Sequence, residues 1–231
     1  MDYIVHGFSQ ALQLIFSMNE ETWSAVAITI KLTGLSMAVT LLLGLPLGFF
    51  LGYFSFPGKG GVRLVVDTLL ALPTVVVGLL VYAFISNRGP LGHLELLFTI
   101  RGMAIGQTIL ALPIVIALTA SAIEGLDHRL RLTLLTLGAS GRQQAMTTLW
   151  ESRFQVLMAA ITAYGRIIAE VGVSMMLGGN IKWHSRTITT AITLETGKGD
   201  FALGIALGIL LLAMSFILNA LLSLLRRWEG A

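Results

Sequence analysis

Five long apolar segments, separated by charged stretches, limit what this chain can fold into more than any other feature. They cover approximately residues 32–54, 64–85, 102–123, 156–177 and 201–225. A helix needs about 20 mostly apolar residues to cross roughly 30 Å of hydrocarbon, and each segment provides them. Because lipid offers no hydrogen-bond partner to an open backbone, we predict an all-α fold: a polytopic transmembrane helical bundle with about five spans.

The composition supports a membrane-embedded chain and excludes several kinds of site. Of the 231 residues, 55% are hydrophobic and only 12% are charged, which is about half the charged share of a soluble domain. The chain has no cysteine, and its four histidines show no metal-ligand spacing, so we expect no disulfide, thiol nucleophile or metal site. The net charge of +3 is ordinary for a membrane protein with basic cytoplasmic loops, so we expect membrane lipid and no nucleic acid as partners.

Residues 1–21 are predicted to form a short amphipathic helix that lies in the membrane interface. Its apolar side chains recur at helical spacing: Ile4, Val5, Phe8, Leu12, Ile15 and Phe16. The segment lacks the basic start and the small-residue cleavage site of a secretory signal, so we expect it to be retained. We find no internal repeat of about 20 to 50 residues, so residues 1–231 are predicted to form a single transmembrane domain without an appended regulatory domain.

The distribution of lysine and arginine favours a cytoplasmic carboxyl terminus, because basic loops resist translocation. With five spans, that orientation gives the cytoplasmic side eight basic residues and the outer side five. The cytoplasmic set is Lys59, Arg63, Arg129, Arg131, Arg142, Arg153, Arg226 and Arg227, and the outer set is Arg88, Arg101, Lys182, Arg186 and Lys198. We therefore predict a multi-pass protein with a cytoplasmic loop over residues 124–154 and an outer loop over residues 178–200.

Residues 124–154 are too polar to cross a membrane and have the pattern of a helix, a turn and a second helix. Gly138 can end the first helix, because glycine adopts positive φ without a Cβ clash. Ser140 and Gln143 have the spacing of a capping box at the start of the second helix. That helix places its apolar residues on one face: Ala145, Met146, Leu149, Trp150 and Phe154. The pattern predicts a small cytoplasmic projection that contacts a partner.

Several stretches resemble one known family. Residues 137–140, Leu-Gly-Ala-Ser, followed further along by the helix end at 149–154, resemble the coupling-loop motif of ABC-importer permeases. Residues 164–172 contain Arg166, Glu170 and Gly172, and they resemble the Arg-x-x-x-Glu-x-Gly helix of the molybdate, sulfate and tungstate permeases. The resemblance covers essentially the whole chain, and the stretches most similar to the tungstate-type branch are residues 1–14, 72–78 and 186–197.

This resemblance implies the core of a type I ABC importer permease, which is a transport subunit and not an enzyme. It implies a homodimer around a central pathway in the inner membrane of a prokaryote. Two separate ABC ATPase subunits would dock on the cytoplasmic face and use the ATP, while this chain would bind no cofactor. A periplasmic or lipid-anchored oxyanion-binding protein would deliver the substrate, with tungstate as the first candidate and molybdate or sulfate as alternatives.

The resemblance also implies which residues meet the ATPase. The expected contact set is Leu137, Gly138, Ala139, Ser140, Met146, Leu149, Trp150 and Glu151.

Arg166 and Glu170 fall near the middle of the fourth span, at a spacing that puts both on one helix face. Two interpretations stay open. The residues form an ion pair that fixes helix packing, or Arg166 draws an oxyanion along the pathway while Glu170 moderates its hold.

The outer loop, residues 178–200, offers basic residues and hydroxyls that suit an oxyanion at the pathway mouth. The candidates are Lys182, Arg186, Thr187, Thr189 and Thr190. Two other interpretations stay open. The loop docks the binding protein through complementary charge, or its charged residues are solvated and have no special role.

Other polar and proline residues within the spans have simpler interpretations. Asp67 is expected to pair locally with Arg63, and Lys31 is expected to reach water from the outer edge of the first span. The prolines predicted to lie inside spans one, two and three are candidate hinges, namely Pro46, Pro73 and Pro113.

Two rival functions can be weighed on sequence alone. The chain has no phosphate-binding loop, no His-Glu-x-x-His motif and no Gly-x-Ser-x-Gly turn, so we expect neither ATP hydrolysis nor intramembrane enzyme chemistry. A passive channel or an ion-coupled carrier is the remaining alternative. Neither accounts for the cytoplasmic projection, and five spans provide little wall for a pore unless two copies combine.

Overall fold

The computed structural model describes the backbone of residues 2–229 and the side chains of residues 8–127, 129–221, 223 and 224. Throughout this part of the chain the regular structure is helical, which confirms the predicted all-α fold. A single 3-10 turn spans Gly92–Leu94. The α-helices are α1 (Asp2–Phe16), α2 (Glu20–Tyr53), α3 (Lys59–Leu70), α4 (Thr74–Ile85), α5 (Ile100–Glu124), α6 (His128–Thr136), α7 (Gly141–Glu151), α8 (Arg153–Ile168), α9 (Gly172–Gly178), α10 (Ile188–Lys198) and α11 (Phe201–Glu229).

Within residues 2–229, three helices are long and apolar enough to cross a membrane unbroken. They are α2, α5 and α11, the last over Phe201–Leu221. The other two predicted spans are pairs of shorter helices: α3 and α4 meet at a bend of 99°, and α8 and α9 at a bend of 60°. If each bent pair counts as one span, the structure has up to five spans, as the sequence predicts.

The sequence predicts one span over residues 64–85 and one over residues 156–177, and the structure divides each of them into two helices. Pro73 is the N-cap of α4 and lies outside any helix, because a proline has no N–H with which to continue the hydrogen-bond ladder of α3. Between α8 and α9 the chain contains neither proline nor glycine, so the second interruption has no such local cause. We call residues 71–73 the α3–α4 break and residues 169–171 the α8–α9 break.

The first span is also longer than predicted, because α2 begins at Glu20 rather than near residue 32. The side chain of Asn19 accepts a hydrogen bond from the Thr22 N–H at 3.1 Å, and the carboxylates of Glu20 and Glu21 lie in the positively polarised first turn. At 1.5 Å per residue, the 34 residues of α2 extend about 51 Å, well beyond the roughly 30 Å of hydrocarbon. Because Glu20 and Glu21 make its first turn the charged end, we expect the first turns of α2 to project beyond the membrane.

Helices α2 and α5 pack closely side by side through a row of glycines. Gly44, Gly48 and Gly52 recur on one face of α2 and leave no room for side chains there, an arrangement typical of membrane helices that approach closely. Gly44 contacts Val115 and Gly48 contacts Thr119, so the contacts advance in the same direction along both helices. The two helices are therefore parallel, as the first and third spans of a five-span chain must be.

The close approach at Gly48 predicts a loss of stability for Gly48→Ala. A Cβ there would lie 2.7 Å from Thr119 Cβ and 2.9 Å from the Ile116 carbonyl oxygen, and overpacking of this kind costs about 1–3 kcal/mol. We expect a lower thermal unfolding midpoint in detergent, measured by circular dichroism. Gly34→Ala is the matched control on the same helix, since a Cβ at Gly34 meets nothing within 4 Å. Equal midpoints for the two variants would contradict the close packing.

The predicted outer end of the bundle is a second packed region. Residues near the start of α2 pack with α10 and with the first turns of α11, and the buried members are Ala25, Val26, Ile188, Ala191, Leu203 and Leu207. Helix α1 packs along α11, with Ala11 fully buried and Leu14 against this cluster.

The predicted apolar face of the amino-terminal helix packs only in part against the rest of the protein. Phe8 is 50% exposed and Phe16 is 81% exposed, which leaves both available to lipid. The side chains of Ile4 and Val5 lie outside the described residues, as does Met1. The interfacial position of this helix therefore stays a prediction.

Candidate functional site

The predicted cytoplasmic projection forms as its local sequence dictates. After α6, Gly138 adopts a φ of +71°, and α7 begins with the reciprocal capping box between Ser140 and Gln143. The Ser140 N–H donates to Gln143 Oε1 at 2.8 Å. The second helix is shorter than predicted: it ends at Glu151, and Phe154 belongs to α8. We call residues 124–154 the docking segment.

The polarity of α7 is inverted relative to that of an ordinary surface helix. No residue of α7 is buried, and the large apolar side chains point away from the bundle, with Met146 69% exposed, Trp150 65% and Leu149 41%. The polar residues Gln144 and Thr148 instead line a cavity of about 230 Å³ between the docking segment and the carboxyl-terminal ends of α2 and α5. A contiguous apolar surface that faces outward marks an interaction site.

The rest of the predicted contact set extends this surface. Leu137 is 76% exposed, and Gly138, Ser140 and Glu151 are exposed, while Ala139 is partly buried. The guanidinium of Arg153 lies 4.6 Å from the centre of the Trp150 ring, so a cation borders the apolar surface.

The second candidate site lies at the α8–α9 break. Arg166 Nη1 donates to Glu170 Oε2 at 3.0 Å, so the predicted pair is present although Glu170 lies beyond the end of α8. The Glu170 side chain is 3% exposed and that of Arg166 is 48% exposed. Glu170 Oε1 also accepts the Val173 N–H at 3.2 Å. Glu170 thus joins the end of α8 to the start of α9, while about half of the Arg166 side chain stays exposed.

A buried amide fixes the depth of this pair. Gln107 is 1% exposed, accepts a hydrogen bond from Ser36 at 3.0 Å and donates to the Ile167 carbonyl at 3.4 Å. Arg166 is therefore level with Gln107, about 9 Å along α5 from Arg101 and about 26 Å from Glu124 at 1.5 Å per residue. The pair lies nearer to the level of Arg101, at the predicted outer end of α5, than to that of Glu124 at the other end.

The open face of α8 differs from the open faces of the other spans. Thr162, Arg166 and Ala169 are exposed along it, and a Cβ on Gly165 would meet nothing within 4 Å. By contrast, the open faces of α2 and α11 carry large hydrophobic side chains, such as Leu42 at 73% and Phe216 at 75% exposure. A small and polar face with an open cation is unsuited to lipid, so this side of α8 faces another protein surface or a water-filled path.

Most residues of the predicted outer mouth lie inside the fold. Helix α10 occupies residues 188–198 of the expected loop, and Thr187 and Thr190 form the capping box that starts it. The Thr189 hydroxyl donates to the Glu170 carbonyl at 2.8 Å, and all three threonines are buried. The Thr189 hydroxyl therefore supports the α8–α9 break, while Thr187 and Thr190 fix the start of α10.

Arg186 is also buried, with its side chain 5% exposed between Glu21 and Glu195. Lys182 alone of the five candidates is exposed, although its ammonium also pairs with Glu21 at 2.8 Å. Arg186 and Lys182 thus tie the turn between α9 and α10 to the first turn of α2. Sequence analysis did not find Glu21, Glu195 or Gln107, and only Gln107 offered a signal, as a polar residue inside an apolar span.

The remaining sequence predictions for single residues compare simply with the structure. Arg63 Nε lies 3.5 Å from Asp67 Oδ2, which confirms the local pair. Lys31 is exposed on α2. Pro46 and Pro113 lie inside α2 and α5, but Pro73 does not lie inside a helix.

The chain is similar in sequence to known membrane transport proteins. The chain matches the family described as "Binding-protein-dependent transport system inner membrane component" over residues 44–229. It is 49% identical to the tungstate uptake system permease protein TupB of Campylobacter jejuni, covering 98% of this chain and 95% of that protein. It is 35% identical to TupB of Peptoclostridium acidaminophilum, covering 96% and 97% respectively.

A solved structure has the same fold. An inward-facing conformation of the MetNI methionine ABC transporter matches with a TM-score of 0.68 at 16% identity, covering 90% of this chain and 98% of that one. At this identity the likeness concerns the fold alone, and it includes nearly the whole of both chains.

Proposed function

Since the chain belongs to the family of binding-protein-dependent transport system inner membrane components, we propose that it forms the translocation pathway of an ATP-driven tungstate importer. The observation that carries the choice of anion is the 49% identity to a tungstate uptake permease over nearly the full length of both proteins. The chain is a multi-pass membrane permease subunit. Molybdate and sulfate are the alternative substrates, since both are tetrahedral dianions.

The energy for transport comes from a separate ATPase that docks on α7. The outward-facing Met146, Leu149 and Trp150 suit an apolar groove, and the chain contains no phosphate-binding loop of its own. Two copies of the chain, each with one ATPase, complete the assembly around a shared pathway. In this orientation α2 and α5 run from outside to inside, and the carboxyl terminus is cytoplasmic.

The pathway runs along the open face of α8. Many secondary transporters place their substrates beside interrupted helices, and the α8–α9 break lies next to the half-exposed side chain of Arg166. Arg166 offers an oxyanion its free N–H groups, while Glu170 limits how tightly a dianion is held. ATP binding draws the two docking segments together and tilts the spans, which exchanges outward for inward access.

An oxyanion-binding protein of the periplasm, free or lipid-anchored, docks at the outer end. Lys182 is an exposed cation there, as are Arg88, Arg101 and Lys198, whereas Arg186, Thr187, Thr189 and Thr190 hold the turn and α10 in place. A basic outer surface attracts the anion and suits an acidic partner face.

The direct test is uptake in liposomes that contain this chain with its ATPase and its oxyanion-binding protein. We expect ATP-dependent tungstate accumulation, measured by mass spectrometry of the washed vesicles, and ATPase activity stimulated by the tungstate-loaded binding protein. Molybdate and sulfate are tested in parallel. Uptake without ATP would favour a channel or carrier, and uptake of molybdate or sulfate in preference to tungstate would replace the proposed substrate.

A further inference from the structure

The docking segment touches the rest of the bundle only sparingly. Helix α7 has no buried residue, and a cavity separates its inner face from the ends of α2 and α5. Among the described residues, the closest packing of α7 is against α8. A displacement of this segment must therefore reach the bundle through its two ends, where it joins α5 at Glu124 and α8 at residue 152.

The α5 end of the segment is tied to a second helix by charge. The Glu124 carboxylate forms ion pairs with Lys59 Nζ at 2.9 Å and with Arg63 Nη1 at 3.1 Å. Arg63 Nη2 also donates to Ser121 Oγ at 2.6 Å. Both cations belong to the first turns of α3, so α3 is linked to the point at which the docking segment begins.

Helix α3 continues through the α3–α4 break to the second candidate site. Beyond the 99° bend, α4 packs against α9, where Gly78 lies against Val173 and Met176. At the break itself, a Cβ on Gly172 would lie 2.9 Å from Thr74 Oγ1 and 3.4 Å from Glu170 Oε1. Movement of α3 therefore reaches the immediate surroundings of Glu170.

The charges around Glu124 suit a contact that moves rather than one that holds the fold. The side chains of Lys59, Arg63 and Glu124 are 26%, 27% and 38% exposed, and pairs this exposed contribute little to stability. With Asp67, the cluster holds two cations and two carboxylates, so no charge is left over to require a further partner.

We propose that Glu124 is a positioning residue that links the docking segment to α3, so that ATP-driven movement of the segment bends the α3–α4 break and acts on the α8–α9 break. This inference rests on the proposed function, because it needs an ATPase on α7.

Glu124→Gln tests the link with little change of shape. In complexes reconstituted with ATPase and binding protein, we expect the ATP hydrolysed per anion imported to rise about threefold, the scale of one exposed ion pair, while ATPase copurification stays at the wild-type level. Asp67→Asn is the matched control, because it also removes a carboxylate from this cluster. Asp67 pairs with Arg63 on the same helix, α3, so its loss does not break the link between α3 and the docking segment. We expect no change in its ratio.

Exchange of charges provides the rescue. Glu124→Lys alone should uncouple hydrolysis from uptake, and Lys59→Glu combined with Glu124→Lys should restore part of the wild-type ratio, because Arg63 still lies beside position 124. An unchanged ratio in Glu124→Gln, an equal rise in Asp67→Asn, or no recovery in the exchanged pair would each overturn the inference.

A second measurement does not depend on which anion is carried. The chain has no cysteine, so spin labels can be placed cleanly at Leu64 on α3 and Leu221 on α11, both exposed. With labelled chain diluted into unlabelled chain, ATP should shift the distance between the labels in wild type and not in Glu124→Gln. Wild-type complexes that import no tungstate would refute the proposed substrate, whereas equal shifts in both proteins would refute the role of Glu124.

Discussion

A chain that carries both Met146→Glu and Trp150→Glu is expected to lose ATP-driven uptake almost completely while its helical bundle stays folded. The two side chains are 69% and 65% exposed, and α7 contributes no buried residue, so the bundle does not depend on them. Docking of the ATPase should depend on them, because apolar anchors at the centre of an interface account for most of the binding free energy. Loss of two such anchors costs about 4 kcal/mol, which weakens docking about a thousandfold.

The measurement is ATPase copurification together with uptake in liposomes. Met146→Leu combined with Trp150→Phe is the control, since it keeps apolar side chains of similar shape on the same face and should retain both activities. Gel filtration and circular dichroism establish that each variant is assembled. If the glutamate variant imported tungstate at the wild-type rate in assembled complexes, α7 would not be the docking helix.

The docking segment could be predicted in detail because its determinants are local. Gly138, Ser140 and Gln143 act within a few residues of each other, so positive φ and the capping box follow from spacing alone. The number of spans is predictable for a similar reason, because hydropathy is a property of each segment. The start of α2 at Glu20 also has a local signal that the span prediction did not use, since Asn19 followed by two glutamates is a typical helix start.

The two breaks could not be predicted with the same means. Average hydropathy over a span does not change when three of its residues leave the helical conformation, and residues 169–171 carry no proline or glycine. What stabilises the α8–α9 break is contact from elsewhere in the chain, such as Gln107 on α5 and Thr189 on α10. Such contacts follow from the fold and not from the local sequence.

The outer mouth shows the same limit for charged residues. Arg186 looks like a solvated loop cation, but its carboxylate partners are Glu21, far away in sequence, and Glu195. Hydroxyls at Thr187, Thr189 and Thr190 suit an oxyanion by type, yet their hydrogen bonds are made within the protein. Residue type indicates what a group can bind, whereas burial decides whether it is available.

Neutralising both members of the Arg166–Glu170 pair separates the two roles that the sequence left open. Arg166→Gln alone leaves the carboxylate of Glu170, 3% exposed, without its cation, and an unpaired buried charge destabilises the fold by itself. Loss of uptake in that variant would therefore have two explanations. Arg166→Gln combined with Glu170→Gln removes the unpaired charge and keeps side chains of similar size at both positions.

The doubly neutral variant should assemble normally and still transport slowly, because the cation that meets the anion is gone. Loss of a hydrogen bond to a charged group costs about 1.5–3 kcal/mol, so uptake should fall roughly tenfold to a hundredfold. Arg166→Lys keeps the charge beside Glu170 and should retain most of the rate. A purely structural pair makes the opposite prediction: the doubly neutral variant would recover both stability and uptake, since nothing but packing would have been lost.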